Sequence, residues 1–346
     1  MTSRPAAPGD RAENAVRVLD LATTDEGHRG GYLAFISRLY SVQVVPFSWV
    51  AALTRRPVLI PMIEESFVRY VATALLRSMF GQRTVGLLFR PKPALEGKTL
   101  RLRGKRWALR LLRQLGPVRT LTILPFTVEP RFATIADDWI YDFEVWDLVG
   151  EGALGDRADG PLADKIRAAA AGRKVCCAIG RQDVDKGFDQ FAAVYGASPA
   201  LQAGMLFAFG GKVIPDLLGT SAEFAANGGF ALPEYITNEQ LLDLYASADL
   251  IWCVYAAGYD QASGVLGRAM QLGIPVVVRQ GSLIHRLCEL EGVGHLAFDQ
   301  TTSPADFLRV AGHKDSMRAG KRAALHRSES LRRLSDALGV QPRQAS

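Results

Sequence analysis

A chain of 346 residues, 48% of them hydrophobic and with ordinary glycine and proline counts, can bury large cores and is expected to form two domains of similar size, with no extended disorder away from its ends. The formal net charge of +6 is modest for this length, so the placement of charge matters more than its total. Four cysteines, Cys176, Cys177, Cys253 and Cys288, lie in apolar segments without a CxxC pair, which argues against zinc and a disulfide framework and points to a reduced, cytosolic compartment.

The opening residues, MTSRPAAPGDRAENAV, lack the apolar core of a signal peptide, and no run reaches the roughly eighteen apolar residues of a membrane span. The expectation is a chain neither exported by a signal peptide nor membrane-spanning. A first strand is predicted at Val16 to Leu21, then a polar loop from Thr23 to Gly31 and an amphipathic helix from Tyr32 to about Leu39. A long helix follows between Met62 and Phe80, with strands at Val85 to Phe89 and Leu121 to Leu124. The run KTLRLRGKRWALRLLR (98–113) carries seven basic side chains and no acidic one, interleaved with leucines and Trp107. Two readings stand: a solvated helix packed by its leucines, or a helix lying in an anionic membrane surface. PFSWV (46–50) and RRPVLIP (55–61) would add apolar anchors to the second reading. Trp107 alone is not the aromatic interleaving of a nucleic-acid surface, so no nucleic acid is expected.

A join rich in Gly, Asp and Ala at 149–164 marks the boundary between halves. The predicted division is 1–155, 156–310 and a helical tail, 311–346, that packs back on the first domain. From about residue 172, short apolar strands alternate with helices, the pattern of a parallel sheet covered on both faces. The strands are Lys174 to Ile179, Met205 to Phe209, Phe230 to Leu232, Leu250 to Tyr255, Pro275 to Val278 and His295 to Phe298, and Asn238 to Ser247 is a helix.

Two sites stand out. Gly180-Arg181-Gln-Asp-Val-Asp-Lys186-Gly187 follows the first strand of the second half, where a planar fork and a point charge could meet one dianionic group such as a pyrophosphate. In ADLIWCVYAAGYDQASGVLGRAMQLGIPVVVR (248–279), a strand, a small-residue loop ending in Ser263-Gly264 and a helix leave backbone amides free at a helix start, which suits a phosphate. The histidines outside the first loop, His285, His295, His313 and His326, show no metal or triad spacing.

VCCAIGRQDVDKGFDQF, GFALPEYITNEQLLDLYASADLIWCVY and ASGVLGRAMQLGIPVVV, in that order and spacing, resemble the retaining GT-B nucleotide-sugar glycosyltransferases of glycosyltransferase family four over roughly residues 174 to 280. The resemblance implies an α/β fold of two Rossmann-like domains whose parallel sheets face a central cleft. It further implies transfer of a sugar from a nucleotide diphosphate-sugar with retention and without a metal or other cofactor. Arg181 and Lys186 would grip the diphosphate, with Gly180 beside them and the backbone of Ser263, Gly264 and Val265 capping it. Ile236 stands where the nucleobase is held, and Asp260 stands at the first glutamate of the Glu-x7-Glu signature, which touches the sugar. Arg268 stands at the second, where a carboxylate commonly takes the ribose hydroxyls. There it would add a third cation near the phosphates, serve an unusual donor, mark decayed catalysis, or pair with a neighbouring carboxylate.

In the first half the family's glycine-containing loop corresponds to residues 24–31. Gly30 and Gly31 would let the backbone approach a ligand, and Asp25 or His28 would orient an acceptor hydroxyl. The acceptors that the family suggests are bacterial polysaccharides or lipid-linked glycans, which would place the protein at the inner face of a membrane. The rival readings are a non-catalytic nucleotide-sugar-binding protein and another GT-B enzyme, an epimerase or a phosphorylase.

Overall fold

Short apolar runs alternating with helices build two parallel sheets in the computed structural model, which describes residues 16–21, 29–149 and 160–343. By contacts the chain divides into two compact units, Met1–Tyr141 with Arg327–Ser346, and Asp142–His326. Residues 150–159 of the Gly-, Asp- and Ala-rich join at 149–164 lie outside the described residues, and so do Asp25 and His28 of the first loop.

In the first unit six strands are described: β1 (Val16–Asp20), β2 (Val42–Pro46), β3 (Val58–Ile60), β4 (Thr84–Leu88), β5 (Val118–Thr122) and β6 (Asp138–Trp139), in the order β2-β1-β3-β4-β5-β6. β3 and β4 are buried on both faces, as an unbroken apolar run requires. This corrects one expectation. Val58, Leu59 and Ile60 of RRPVLIP are fully buried in a strand between β1 and β4, so that segment is core and cannot anchor a membrane. The long helix expected between Met62 and Phe80 spans Phe67–Ser78, and Met62 ahead of it is in a left-handed conformation (φ 53°). The first helix begins at Arg29, so Gly30 and Gly31 lie in its first turn and not in the loop.

Arg77 is wholly buried in this unit. Its Nε donates to Thr84 Oγ1 (2.9 Å), Nη1 to the carbonyls of Ala52 (2.7 Å) and Thr54 (2.5 Å), and Nη2 to those of Arg56 (2.7 Å) and Arg83 (2.9 Å). Burial lowers its guanidinium to about 10, helped by the nearby charge of Arg17. The end of the chain belongs here too. Tyr40 Oη and Ser335 Oγ share a 2.9 Å hydrogen bond, Tyr141 N donates to Ser330 Oγ (3.0 Å), and Arg333 stacks on the Trp139 ring at 3.9 Å.

The second unit contains β7 (Lys174–Ile179), β8 (Met205–Gly210), β9 (Phe230–Leu232), β10 (Leu250–Cys253), β11 (Val276–Arg279) and β12 (His295–Phe298), in the order β12-β11-β10-β7-β8-β9. Aromatic rings fill one face: Phe191 stacks on Phe207 at 4.8 Å, Phe188 meets Phe209 edge-on at 4.8 Å, and Trp252 meets Phe298 at 5.3 Å. All four cysteines are buried and free. β7 comes first in sequence yet lies between β8 and β10, so the chain winds away from it in both directions. The crevice outside the carboxyl ends of β7 and β10 is therefore a topological switch point, where parallel α/β sheets hold ligands.

Candidate functional site

β7 ends at Ile179, and from Gly180 the chain returns to a helix, Phe188–Gly196, through Gly187. Gly187 has φ 70°, and a Cβ there would fall 2.0 Å from the carbonyl oxygen of Val254, so only glycine lets this loop close against the end of β10. Asp183 fastens the turn by accepting from Lys186 N (2.9 Å). Arg181 is exposed, and its Nε lies 3.3 Å from Asp183 Oδ2. Lys186 turns inward and is half-buried, its Nζ near Gly180 and 5.9 Å from the Tyr255 ring centre. Among the described residues its ammonium makes no hydrogen bond or ion pair. Loss of water holds it below the ordinary lysine value; the Asp183 and Glu144 carboxylates oppose that shift and Arg181 adds to it.

Tyr255 links this loop to the next. Its hydroxyl and Ser263 Oγ share a 2.6 Å hydrogen bond, and Ser263 caps the helix Gly264–Leu272 by accepting from Leu266 N (3.2 Å). The amides of Gly264 and Val265 stand in the first turn, where no carbonyl of the helix itself can serve them. Lys186, Tyr255 and the Ser263-Gly264 turn thus gather at one place.

A carboxylate is already there. Glu144 precedes the second unit's sheet by some thirty residues in sequence order, and it reaches the turn so closely that a Cβ on Gly264 would fall 1.6 Å from Oε2. Burial pushes the Glu144 carboxyl up to about 7; Asp147 pushes the same way, while Arg268 and Lys186 pull it down. The proposed diphosphate seat is therefore not an open crevice in this structure.

The remaining residues singled out from the sequence lie as follows. Asp260 is buried, its Oδ1 accepting from Leu283 N (2.8 Å) and its Oδ2 lying 3.4 Å from Arg279 Nη2, so it serves the start of the helix Leu283–Glu291. Arg268 donates from Nη2 to Asp147 Oδ2 at 2.7 Å and so pairs with a neighbouring carboxylate. Ile236 is buried, close to Gly210 at the end of β8. Among the described residues nothing lies within 4 Å of where a Cβ on Gly30 or Gly31 would stand, so no close approach by these residues demands glycine there. In the first unit a small pocket opens at the carboxyl ends of β1 and β3, lined by Asp20, Leu21, Tyr32 and Met62 among others.

No protein-family model matches the chain, and no curated protein matches it in sequence. Solved structures match its course in space. HepE from Anabaena, solved in complex with UDP, superimposes with a TM-score of 0.65 at 14% identity, over 94% of this chain and 99% of that one. A UDP-forming α,α-trehalose-phosphate synthase from Burkholderia xenovorans, solved with glucose-6-phosphate, gives 0.59 at 12% identity over 93% and 99%. WaaG, a glycosyltransferase involved in lipopolysaccharide biosynthesis, gives 0.52 at 13% identity over 91% and 95%. The chain has the GT-B fold.

Three residues at this GT-B site escaped the sequence. Glu144 and Asp147 sit in DFEVWDLV, far in sequence from the helix they touch, and no local pattern ties them to it. Tyr255 reads as the last residue of an apolar strand; its hydroxyl becomes visible as a site group only once Ser263 is seen opposite it.

Proposed function

We propose that this chain is a glycosyltransferase that moves a sugar from a nucleotide diphosphate-sugar to an acceptor held by the first unit. The observation that carries the reading is the gathering, outside the carboxyl ends of β7 and β10, of a half-buried ammonium with unused donors and the amide-bearing start of a helix. Support comes from the fold, since HepE has been solved with UDP and with UDP-glucose. In such a transfer negative charge grows on the departing diphosphate. Lys186 and the amides of Gly264 and Val265 would meet it, with Arg181 swinging from Asp183 to join them. Transfer with retention and without a metal belongs to the same proposal, inherited from the sequence resemblance.

Replacing Lys186 with Ala is expected to weaken binding of UDP, GDP or ADP, whichever the protein prefers, by about tenfold or more, the worth of a charged hydrogen bond. Calorimetry reads this directly. Unchanged affinity in both Lys186→Ala and Arg181→Ala would dismiss the assigned donor site. A second reading, a non-catalytic nucleotide-sugar-binding protein, draws on Arg268 and Asp147 being bound to each other where the family places a glutamate. Turnover assays with a donor panel separate the two, and release of an epimer or a sugar phosphate without an acceptor would favour other GT-B chemistry.

The acceptor reading adds a polysaccharide or lipid-linked glycan met at the inner face of an anionic membrane. The helix Leu100–Leu112 turns Leu109 and Leu112 into the first unit's core and leaves Leu100, Trp107 and Leu111 exposed, with Arg103 and Arg110 on the same outward face. Lys105 lies over the Phe67 ring at 5.0 Å and Arg106 donates to the carbonyls of Ala94 and Gly97, so those two cations serve the fold. Trp49 and Val50, on the short helix Trp49–Ala52 of the same unit, are also exposed. No described helix is long and apolar enough to cross a membrane. Sedimentation with anionic liposomes is expected to bring the protein down at low salt and to fail for Arg103→Glu/Arg110→Glu; equal recovery of both proteins would remove the membrane from the proposal.

A further inference from the structure

The Glu144 carboxylate does not reach the Ser263-Gly264 turn by the wandering of a long side chain. The segment that carries it is fastened along one face of the helix Gly264–Leu272. Gln271 Nε2 donates to the carbonyl of Glu144 (2.7 Å) and to Asp147 Oδ1 (2.7 Å), Leu148 N donates to Gln271 Oε1 (3.1 Å), and Arg268 holds Asp147. Two glycines on that face make the contact possible. A Cβ at Gly267 would fall 2.7 Å from the Glu144 carbonyl oxygen, and one at Gly264 would collide with the carboxylate itself. A seat, its fastenings and the space for them are all built into the chain.

We infer that Glu144 is an internal competitor for the anion site: its carboxylate occupies the start of the helix Gly264–Leu272 and has to leave before a diphosphate settles there. The inference rests on the reading of this spot as a diphosphate site. The Glu144 carboxylate already lies against Gly264, so a second anion brought to the same turn would stand beside it and meet strong repulsion. None of these fastenings uses the Glu144 carboxylate, so displacing it from the turn does not require breaking them. Displacement is easier when the carboxyl is protonated, and the groups facing it set when that happens. Lys186 from the β7 loop and Arg268 from the helix favour its charged form, while Asp147 on its own segment and burial disfavour it; the Tyr245 hydroxyl from the helix Asn238–Ser247 stands nearby and stays neutral. With the carboxyl raised to about 7, its charge changes within the range in which cells work.

Calorimetric titration of UDP, GDP, ADP and pyrophosphate into the full chain tests this, using the native protein, Glu144→Gln and Glu144→Asp at pH 8 and pH 6. Glu144→Gln is expected to bind about tenfold tighter than the native protein at pH 8, with a smaller advantage at pH 6. Comparing proteins at each pH cancels the titration of the phosphates themselves. Glu144→Asp, a methylene shorter, is expected to fall between, and it carries the test should Glu144→Gln fail to melt as a folded protein. Native binding with equal or weaker binding by the variants would overturn the competitor and leave the donor site standing, with Glu144 then a group that helps hold the ligand. Absence of binding of every probe to every protein would overturn both.

Discussion

Arg77 and Lys186 are both cations drawn out of water, one in each unit, and they differ in what their donors do. Arg77 is wholly enclosed, yet five hydrogen bonds to four carbonyls and a hydroxyl account for its guanidinium. Lys186 is only half-buried, but its ammonium has neither a hydrogen bond nor an ion pair among the described residues and is held below the ordinary lysine range. A buried charge with every donor spent is part of the scaffold. One left with donors to give, beside a helix start at a switch point, is where the proposed function puts its ligand.

The sharpest way to break this comparison is Arg77→Met. It keeps much of the volume but strands the carbonyls of Ala52, Thr54, Arg56 and Arg83, and a loss of about 3 kcal/mol or more in denaturant unfolding is expected, with nucleotide affinity of the folded protein unchanged. A loss below about 1 kcal/mol would put Arg77 in the same class as an ordinary surface residue. The smaller effect is that of Lys186→Met on stability. Because the folded protein lowers this lysine's value beneath its ordinary 10.5, the unfolded chain binds the proton more tightly. Burying the charged form therefore costs stability below the folded value, and that cost fades as pH rises toward 10.5. Lys186→Met is expected to be slightly more stable than the native protein at pH 7 and to lose that margin by about pH 10 in urea melts. A destabilised Lys186→Met at pH 7 would make the residue a structural one like Arg77.

The second sheet was legible because its strands read as short apolar runs, with β8 and β10 buried along their whole length; β7, β9 and β12 begin and end where the sequence places them. In the first sheet β2, β3 and β6 escaped. β2 is a half-exposed edge strand, β3 lies in RRPVLIP, whose apolar run reads equally as a surface anchor, and β6 spans only two residues. The loop glycines around Lys186 and the Ser263 cap were visible as local patterns. Contacts made across long stretches of chain were not: Arg268 with Asp147, Asp260 with Leu283 N, and above all Glu144 on Gly264 depend on how the fold brings segments together. An arginine in place of a glutamate reads as a lost ligand in sequence, whereas in space it is the clasp that holds a different carboxylate's segment on the same helix.

The four cysteines have a practical corollary. Burial pushes the Cys177 and Cys253 thiols up to about 12 and raises those of Cys176 and Cys288 as well, so in the folded protein none presents a reactive thiolate at neutral pH. A single thiol engineered onto the surface would accept a maleimide dye in the otherwise native background, giving a fluorescent reporter without first stripping out the natural sulfhydryls.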